Sequence, residues 1–132
     1  MTVIRRTRGS AVLMEEGRVA LIKRIKDDEV YYVFPGGGTE DGETPEEAVV
    51  REAWEELGIV ITAGKCIAQV EFNGPQYFFF SEIVSGVFGS GEGEEFYSSG
   101  RGSYEPIWVP LDELPKLDVK PKELVRKILA DK

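Results

Sequence analysis

Apolar and polar residues alternate with different periods along the 132-residue chain, and each change of period marks an element. Ser10 to Met14 and Arg18 to Ile22 are short apolar-rich runs either side of Glu15-Glu16-Gly17, which predicts a β-hairpin. Val30 to Phe34 is a third β-prone run, ended by Pro35 and three glycines. A helix is predicted to start at Thr44, a good N-cap, with Pro45 in the first turn and Glu47 completing a Thr-x-x-Glu capping box. Gly58 supplies its stop. Ile59 to Ile61, Cys66 to Phe72 and Gln76 to Val84 read as strands, the last two joined by Asn73-Gly74-Pro75. Gly86 to Gly102 reads as a glycine-rich loop, Ile107 to Val109 as a short strand, and Leu111 to Leu114 as a brief turn or helix. Pro121 to Lys132 has the pattern of an amphipathic helix, with Leu124, Ile128 and Leu129 on one face. Strands alternate with helices, but the hairpins argue against a purely parallel sheet. The expected architecture is α/β, a mixed β-sheet flanked by helices.

The predicted central helix carries the chemistry. At about 100° per residue, Glu52, Glu55 and Glu56 fall on one arc, with the small Ala48 among them, while Val50, Ala53, Trp54 and Leu57 lie opposite and are expected to pack on the sheet. Crowding three like charges destabilises a helix, and a bound cation is the simplest compensation. Arg51 is placed to pair with Glu47 at i−4, the better orientation, and with Glu55 at i+4. Pro35-Gly36-Gly37-Gly38 is expected to bring a loop with exposed carbonyls up to the acidic face.

Composition narrows the reading. The chain has the length of one domain, 1–132, and carries a net charge of −8, which disfavours extended nucleic acid as a partner. Residues 27 to 59 hold eleven acidic groups against one basic, whereas residues 1 to 26 hold seven basic against two acidic. There is no histidine and one cysteine, so a structural zinc site, an intrachain disulfide and a His-dependent triad are excluded. Cys66, in an apolar run, is expected to be a small core residue. Carboxylates without imidazole or thiolate select a hard ion, Mg²⁺ first and Mn²⁺ second. The N-terminus lacks the apolar core of a secretory signal and no stretch approaches a membrane span, so a cytoplasmic protein is expected.

The spacing Gly37-x5-Glu43-x7-Arg51-Glu52-Ala53-x-Glu55-Glu56-x-Gly58-Ile59 would arise by chance about once in 10⁸ windows, taking seven fixed identities at roughly 7% usage each. It resembles the signature of the Nudix (MutT-like) hydrolase family, with Ala53 standing where the family often has a larger aliphatic residue. The resemblance implies the Nudix-type α/β/α sandwich and a Mg²⁺-dependent pyrophosphohydrolase. Its substrate would be a nucleoside diphosphate linked to another moiety, such as ADP-ribose, a (d)NTP or a dinucleoside polyphosphate. It further implies Glu55 and Glu56 as main metal ligands, the carbonyl of Gly36 as a third, Glu52 as ligand or base, and Glu43 with Arg51 as the pair fixing loop to helix.

Arg24, with Lys23 beside it, is a candidate phosphate contact, and Gly37, Gly38 and Tyr77 are candidate substrate contacts. Tyr31, Tyr32, Phe34 and Tyr77 to Phe80 offer rings for a base, about half of the Tyr77 to Phe80 set on each sheet face. In similar proteins a proline about sixteen positions past the box accompanies ADP-ribose cleavage, and a tyrosine slightly later accompanies dinucleoside polyphosphates. Pro75 and Tyr77 satisfy both cues, so neither selects the substrate. A late-loop glutamate often assists, and Glu94, Glu95 and Glu105 compete for that role. Similar proteins are often dimers, so the resemblance allows a homodimer, but the sequence itself does not fix the oligomeric state. Two other readings stand beside the enzyme: a catalytically silent Nudix-type nucleotide sensor, and an acidic interaction module.

Overall fold

A computed structural model describes residues 7–71, 74–90 and 103–130. Strands β1 (Arg8–Glu15), β2 (Arg18–Lys26), β3 (Glu29–Val33) and β4 (Gly36–Gly38) precede helix α1 (Pro45–Leu57). Then follow β5 (Ile59–Glu71), β6 (Pro75–Gly86), β7 (Ser103–Pro110), a short 3-10 helix (Leu111–Lys116), β8 (Val119–Lys120) and helix α2 (Lys122–Ala130). The sheet runs β5-β6-β1-β2-β3-β8, with β4 pairing on β1 and β7 on β2. It is mixed, since β1 runs parallel to β6 and β3 parallel to β8 while the remaining pairs are antiparallel. Among the described residues no helix is long and apolar enough to cross a membrane.

The first hairpin turns at Glu16 and Gly17 (φ 53° and 76°), the left-handed pair that matches the twist of a two-residue hairpin. A second such turn, at Asp27 and Asp28 (φ 51° and 67°), joins β2 to β3. Aspartate tolerates this conformation better than most residues, but two in a row carry little turn signal next to Asn-Gly or Asp-Gly.

Alternation along the strands sends side chains to two cores. Ala11, Leu13, Ala20, Ile22 and Phe79 pack with Val49, Ala53 and Leu57 of α1. Val12, Val19, Leu21 and Phe78 pack with Leu124, Val125 and Ile128 of α2. Each helix is therefore held by an apolar stripe, every fully buried Leu or Val contributing about 1.5–3 kcal/mol. The sheet with a helix on each face is the expected α/β/α sandwich.

Three details depart from the sequence reading. Ile59 to Ile61 and Cys66 to Glu71 belong to one strand, β5, whose register against β6 shifts after Val60, between Ala63 and Cys66, and again before Ala68. These irregularities turn Cys66 outward, so the thiol is exposed and not in the core. Val50 and Trp54 are exposed at 36% and 60%, because the buried face of α1 is rotated toward the carboxylates. Phe72, Asn73 and the loop segment 91–102 lie outside the described residues.

Candidate active site

The cap of α1 forms as its sequence predicts. Thr44 Oγ1 accepts the Glu47 N–H at 3.1 Å and Glu47 Oε1 accepts the Thr44 N–H at 2.9 Å, while Gly58 ends the helix at φ 75°. With Glu47 occupied in this way, the expected Arg51–Glu47 pair does not form, and Arg51 turns to other partners.

The buried residues of α1 are Ala48, Val49, Glu52, Ala53, Glu56 and Leu57, so two carboxylates lie on the face that packs against the sheet. Glu52 and Glu56 are only 8% and 6% exposed. Buried charge requires partners. Glu56 Oε1 accepts the Gly36 N–H at 2.8 Å, and Glu52 Oε1 accepts from Arg51 Nη1 at 2.9 Å. Gly36 to Gly38, expected as a loop, is the short strand β4, and its pairing with Arg8 to Ser10 sets the glycines beside the acid pair. A Cβ on Gly37 would stand 2.5 Å from Glu52 Cδ and closer still to Oε2, so the carboxylate occupies space that only glycine leaves.

Arg51 holds the loop to the helix. Its Nε and Nη2 each donate to Glu43 at 2.9 Å, and Nη2 also donates to the Gly38 carbonyl at 3.0 Å. Glu40 adds a 3.1 Å contact to Nε. Nη1 faces the other way, to Glu52 and, at 3.2 Å, to Glu55 Oε2. The Arg51 bond, followed by the Glu40 N–H, holds the Glu43 carboxyl below its ordinary value. The Glu43 bond in turn raises the guanidinium, against burial and helped by the charges of Glu52, Glu43 and Glu40.

Among the described residues no three carboxylate or thiolate groups stand together as a ready-made cation cage. Glu52 and Glu56 are fixed against β4, whereas Glu55, with 43% of its side chain exposed, is drawn to Arg51. The donors are all oxygens, the chemistry a hard divalent ion would take, with Glu52 and Glu56 fixed and Glu55 nearby.

A cavity of about 1080 Å³ opens from Glu52, Glu56 and the three glycines. β1 and β2 pair only at the hairpin end, Met14 with Val19 and Glu15 with Arg18. Away from that end the segment leaving β3 packs against β1 in place of β2, the Pro35 carbonyl accepting the Ala11 N–H at 2.8 Å. One wall carries Arg8, Ser10, Gln76 and Phe78, which are cross-strand neighbours on β1 and β6. The other carries Arg24, Tyr31 and Tyr104, aligned across β2, β3 and β7, with Lys120 of β8. Arg24 lies 3.7 Å from the Tyr104 ring centre and 5.7 Å from that of Tyr31, and Lys120 Nζ lies 4.6 Å from Tyr31. These rings support cations, a use that the expectation of base stacking did not foresee.

Arg24, Gly36, Gly37, Gly38, Glu52 and Glu56 thus meet at one cavity, while Glu43, Arg51 and Glu55 sit behind it as a linked group. Tyr77 does not join them: strand alternation turns it with Phe79 toward α1, and Gln76 and Phe78 take the cavity side. Lys23 likewise faces away from Arg24, opposite Glu105 in the ladder, so neither lines the cavity. Glu94 and Glu95 lie outside the described residues. Arg8, Gln76, Tyr104 and Lys120 were not anticipated, because each needs a partner strand or helix distant in sequence to define the wall it joins.

Comparison with known proteins identifies the family and the fold. The NUDIX domain model matches residues 3–128. The 8-oxo-dGTP diphosphatase of Haemophilus influenzae is 35% identical over 100 residues, which cover 72% of this chain and 68% of that protein. The RNA pyrophosphohydrolase of Psychrobacter is 46% identical over 44 residues, 33% of this chain and 24% of that protein, a match confined to one segment. A MutT structure from work on Aliivibrio salmonicida and Vibrio cholerae shares the fold, with a TM-score of 0.71 at 24% identity over 98% of this chain and 100% of that one. With one family model spanning nearly its full length, the chain belongs to the NUDIX domain family and is a MutT-like Nudix hydrolase.

Proposed function

We propose that the chain is a Mg²⁺-dependent pyrophosphohydrolase, with Mn²⁺ able to substitute, that cleaves a nucleoside diphosphate linked to another moiety. The observation that carries this reading is the buried pair Glu52 and Glu56, held against the glycine strand at one end of a cavity whose walls bring in Arg8, Arg24 and Lys120. Two buried carboxylates at one end of a cavity, with Arg8, Arg24 and Lys120 among the groups on its walls, suit an ion plus a phosphate and serve an interaction surface poorly.

Glu52, Glu55 and Glu56, with the Gly36 carbonyl, would hold the ion. A divalent cation bound there neutralises pyrophosphate charge and acidifies a water. Arg24 and Arg8 donate to phosphate oxygens and orient the chain for in-line attack. Arg51 fixes Oε1 of Glu52 and so orients the carboxylate, which takes the proton from the attacking water. Phe34 and Phe78, packed edge to face at 5.9 Å between ring centres, close the apolar end of the cavity against water. The same reading takes the enzyme to be cytoplasmic and allows a homodimer.

The related 8-oxo-dGTP diphosphatase makes oxidised deoxynucleoside triphosphates the first substrates to try. The test is a panel of these, ADP-ribose, dinucleoside polyphosphates and nucleotide sugars, with phosphate release measured after phosphatase coupling. Turnover should vanish in EDTA and return with Mg²⁺ or Mn²⁺. Binding of nucleotide without turnover across the panel would favour the sensor reading instead.

A further inference from the structure

The guanidinium of Arg51 is used asymmetrically. Nε and Nη2 are fixed by Glu43 and the Gly38 carbonyl, all within 3.0 Å, so the plane of the group is set by the loop. Nη1 alone reaches the acidic face, where it is shared by Glu52 Oε1 at 2.9 Å and Glu55 Oε2 at 3.2 Å. The three carboxylates also differ in freedom. Glu56 is tied to the Gly36 backbone and Glu52 is wedged against Gly37, but the Glu55 side chain is 43% exposed and bonded by the longest of these contacts.

We infer that Arg51 is a built-in competitor for the cation: its Nη1 occupies Glu55 in the unloaded protein, and loading proceeds by exchange of Glu55 from Arg51 to the ion. This rests on the metal reading of the site given above. Because only Nη1 faces the acids, the exchange releases one hydrogen bond while the Glu43 fork stays closed and the loop keeps its place. Nη1 then has Glu52 as its remaining carboxylate partner, so the loaded state positions Glu52 more tightly than the empty one. Arg51 is thus a positioning residue with two successive partners. The acidic helix face also has a cation before any ion arrives, which explains how it folds with three neighbouring carboxylates.

The test uses the full chain without substrate, so that it reads binding and not turnover. Mn²⁺ affinity is measured from the electron paramagnetic resonance of the free ion. In parallel, the Arg51 side-chain NH signals are followed by ¹⁵N NMR during titration with diamagnetic Mg²⁺. The exchange predicts that the Nη1 signals shift as Mg²⁺ saturates while the Nε–H signal, bonded to Glu43, stays in place. Arg51→Gln should tighten Mn²⁺ about tenfold, the equivalent of one charge-assisted hydrogen bond no longer opposing the ion. If Arg51 merely scaffolds the site, the variant weakens Mn²⁺ instead, and that result overturns the inference. Saturating Mg²⁺ with unmoved Nη1 signals overturns it as well, and needs no variant to fold. If the unaltered protein binds neither ion, the metal reading itself fails and the exchange fails with it.

Discussion

Replacing Gly37 with alanine tests whether the position of the Glu52 carboxylate, and not its mere presence, matters. An added Cβ would lie 2.5 Å from Glu52 Cδ, against about 3.4 Å for ordinary contact, and closer still to Oε2, so the carboxylate must retreat by at least about 0.9 Å. The backbone of β4 is not the obstacle, since Gly37 is not among the glycines held at positive φ. The strain falls on a side chain held between the strand and Arg51 Nη1. Overpacking of this kind costs about 1–3 kcal/mol, which the fold should survive. A displacement near 1 Å in a reacting group costs about 100-fold in rate. Steady-state kinetics on the best nucleotide of the panel, with thermal melting in parallel, should therefore show a folded Gly37→Ala protein with kcat/KM about 100-fold lower. A folded variant with the kcat/KM of the unaltered protein would refute the reasoning, since Glu52 would then tolerate displacement.

Two further outcomes follow from the local geometry. Thr44→Ala removes the cap that accepts the Glu47 N–H and should cost about 1 kcal/mol, or about 4 °C in Tm, without altering metal affinity; a larger effect on activity than on Tm would mean that the cap also orders the loop. Glu43 has a folded pKa below its ordinary 4.5, so its contribution to stability is complete above that value and is lost as pH falls through the lowered folded value. Glu43→Gln should accordingly be less stable than the unaltered protein near neutral pH, with the gap closing below about pH 4.5; a gap independent of pH in melting curves would contradict this.

How much of this was legible in the sequence differs from residue to residue. The α1 cap was fully legible, because Thr44, Pro45, Glu47 and Gly58 act through bonds only a few residues long. The acidic arc was legible as geometry, and Ala53 and Leu57 pack on the sheet as expected, but the centre of the buried face was misjudged. Hydrophobicity places Val50 and Trp54 inward, whereas the sheet takes Glu52 and Glu56 and leaves Trp54 in solvent. The compensation for burying those charges comes from Gly36 and Arg51, and no periodicity reports it. Strand parity decided the rings in the same way. Tyr77 and Phe78 are equally aromatic neighbours, and only the β1–β6 register reveals that Phe78 faces the cavity. The cation wall of Arg24, Tyr31, Tyr104 and Lys120 is assembled from four separate elements, so no window of sequence could contain it. Cys66 was misplaced because its neighbours are apolar while β5 bulges at that point.

The central claim is that a cation held by the buried pair Glu52 and Glu56 drives pyrophosphate cleavage, and Glu56→Gln tests it most directly. The glutamine keeps an oxygen to accept the Gly36 N–H, so the 2.8 Å bond and the fold should survive while one carboxylate charge is lost. Measured at saturating Mg²⁺ on the best nucleotide of the panel, kcat/KM should fall by at least about 100-fold with Tm nearly unchanged. A folded Glu56→Gln protein within about threefold of the unaltered kcat/KM would contradict the account, because the buried carboxylate would then have no part in the chemistry.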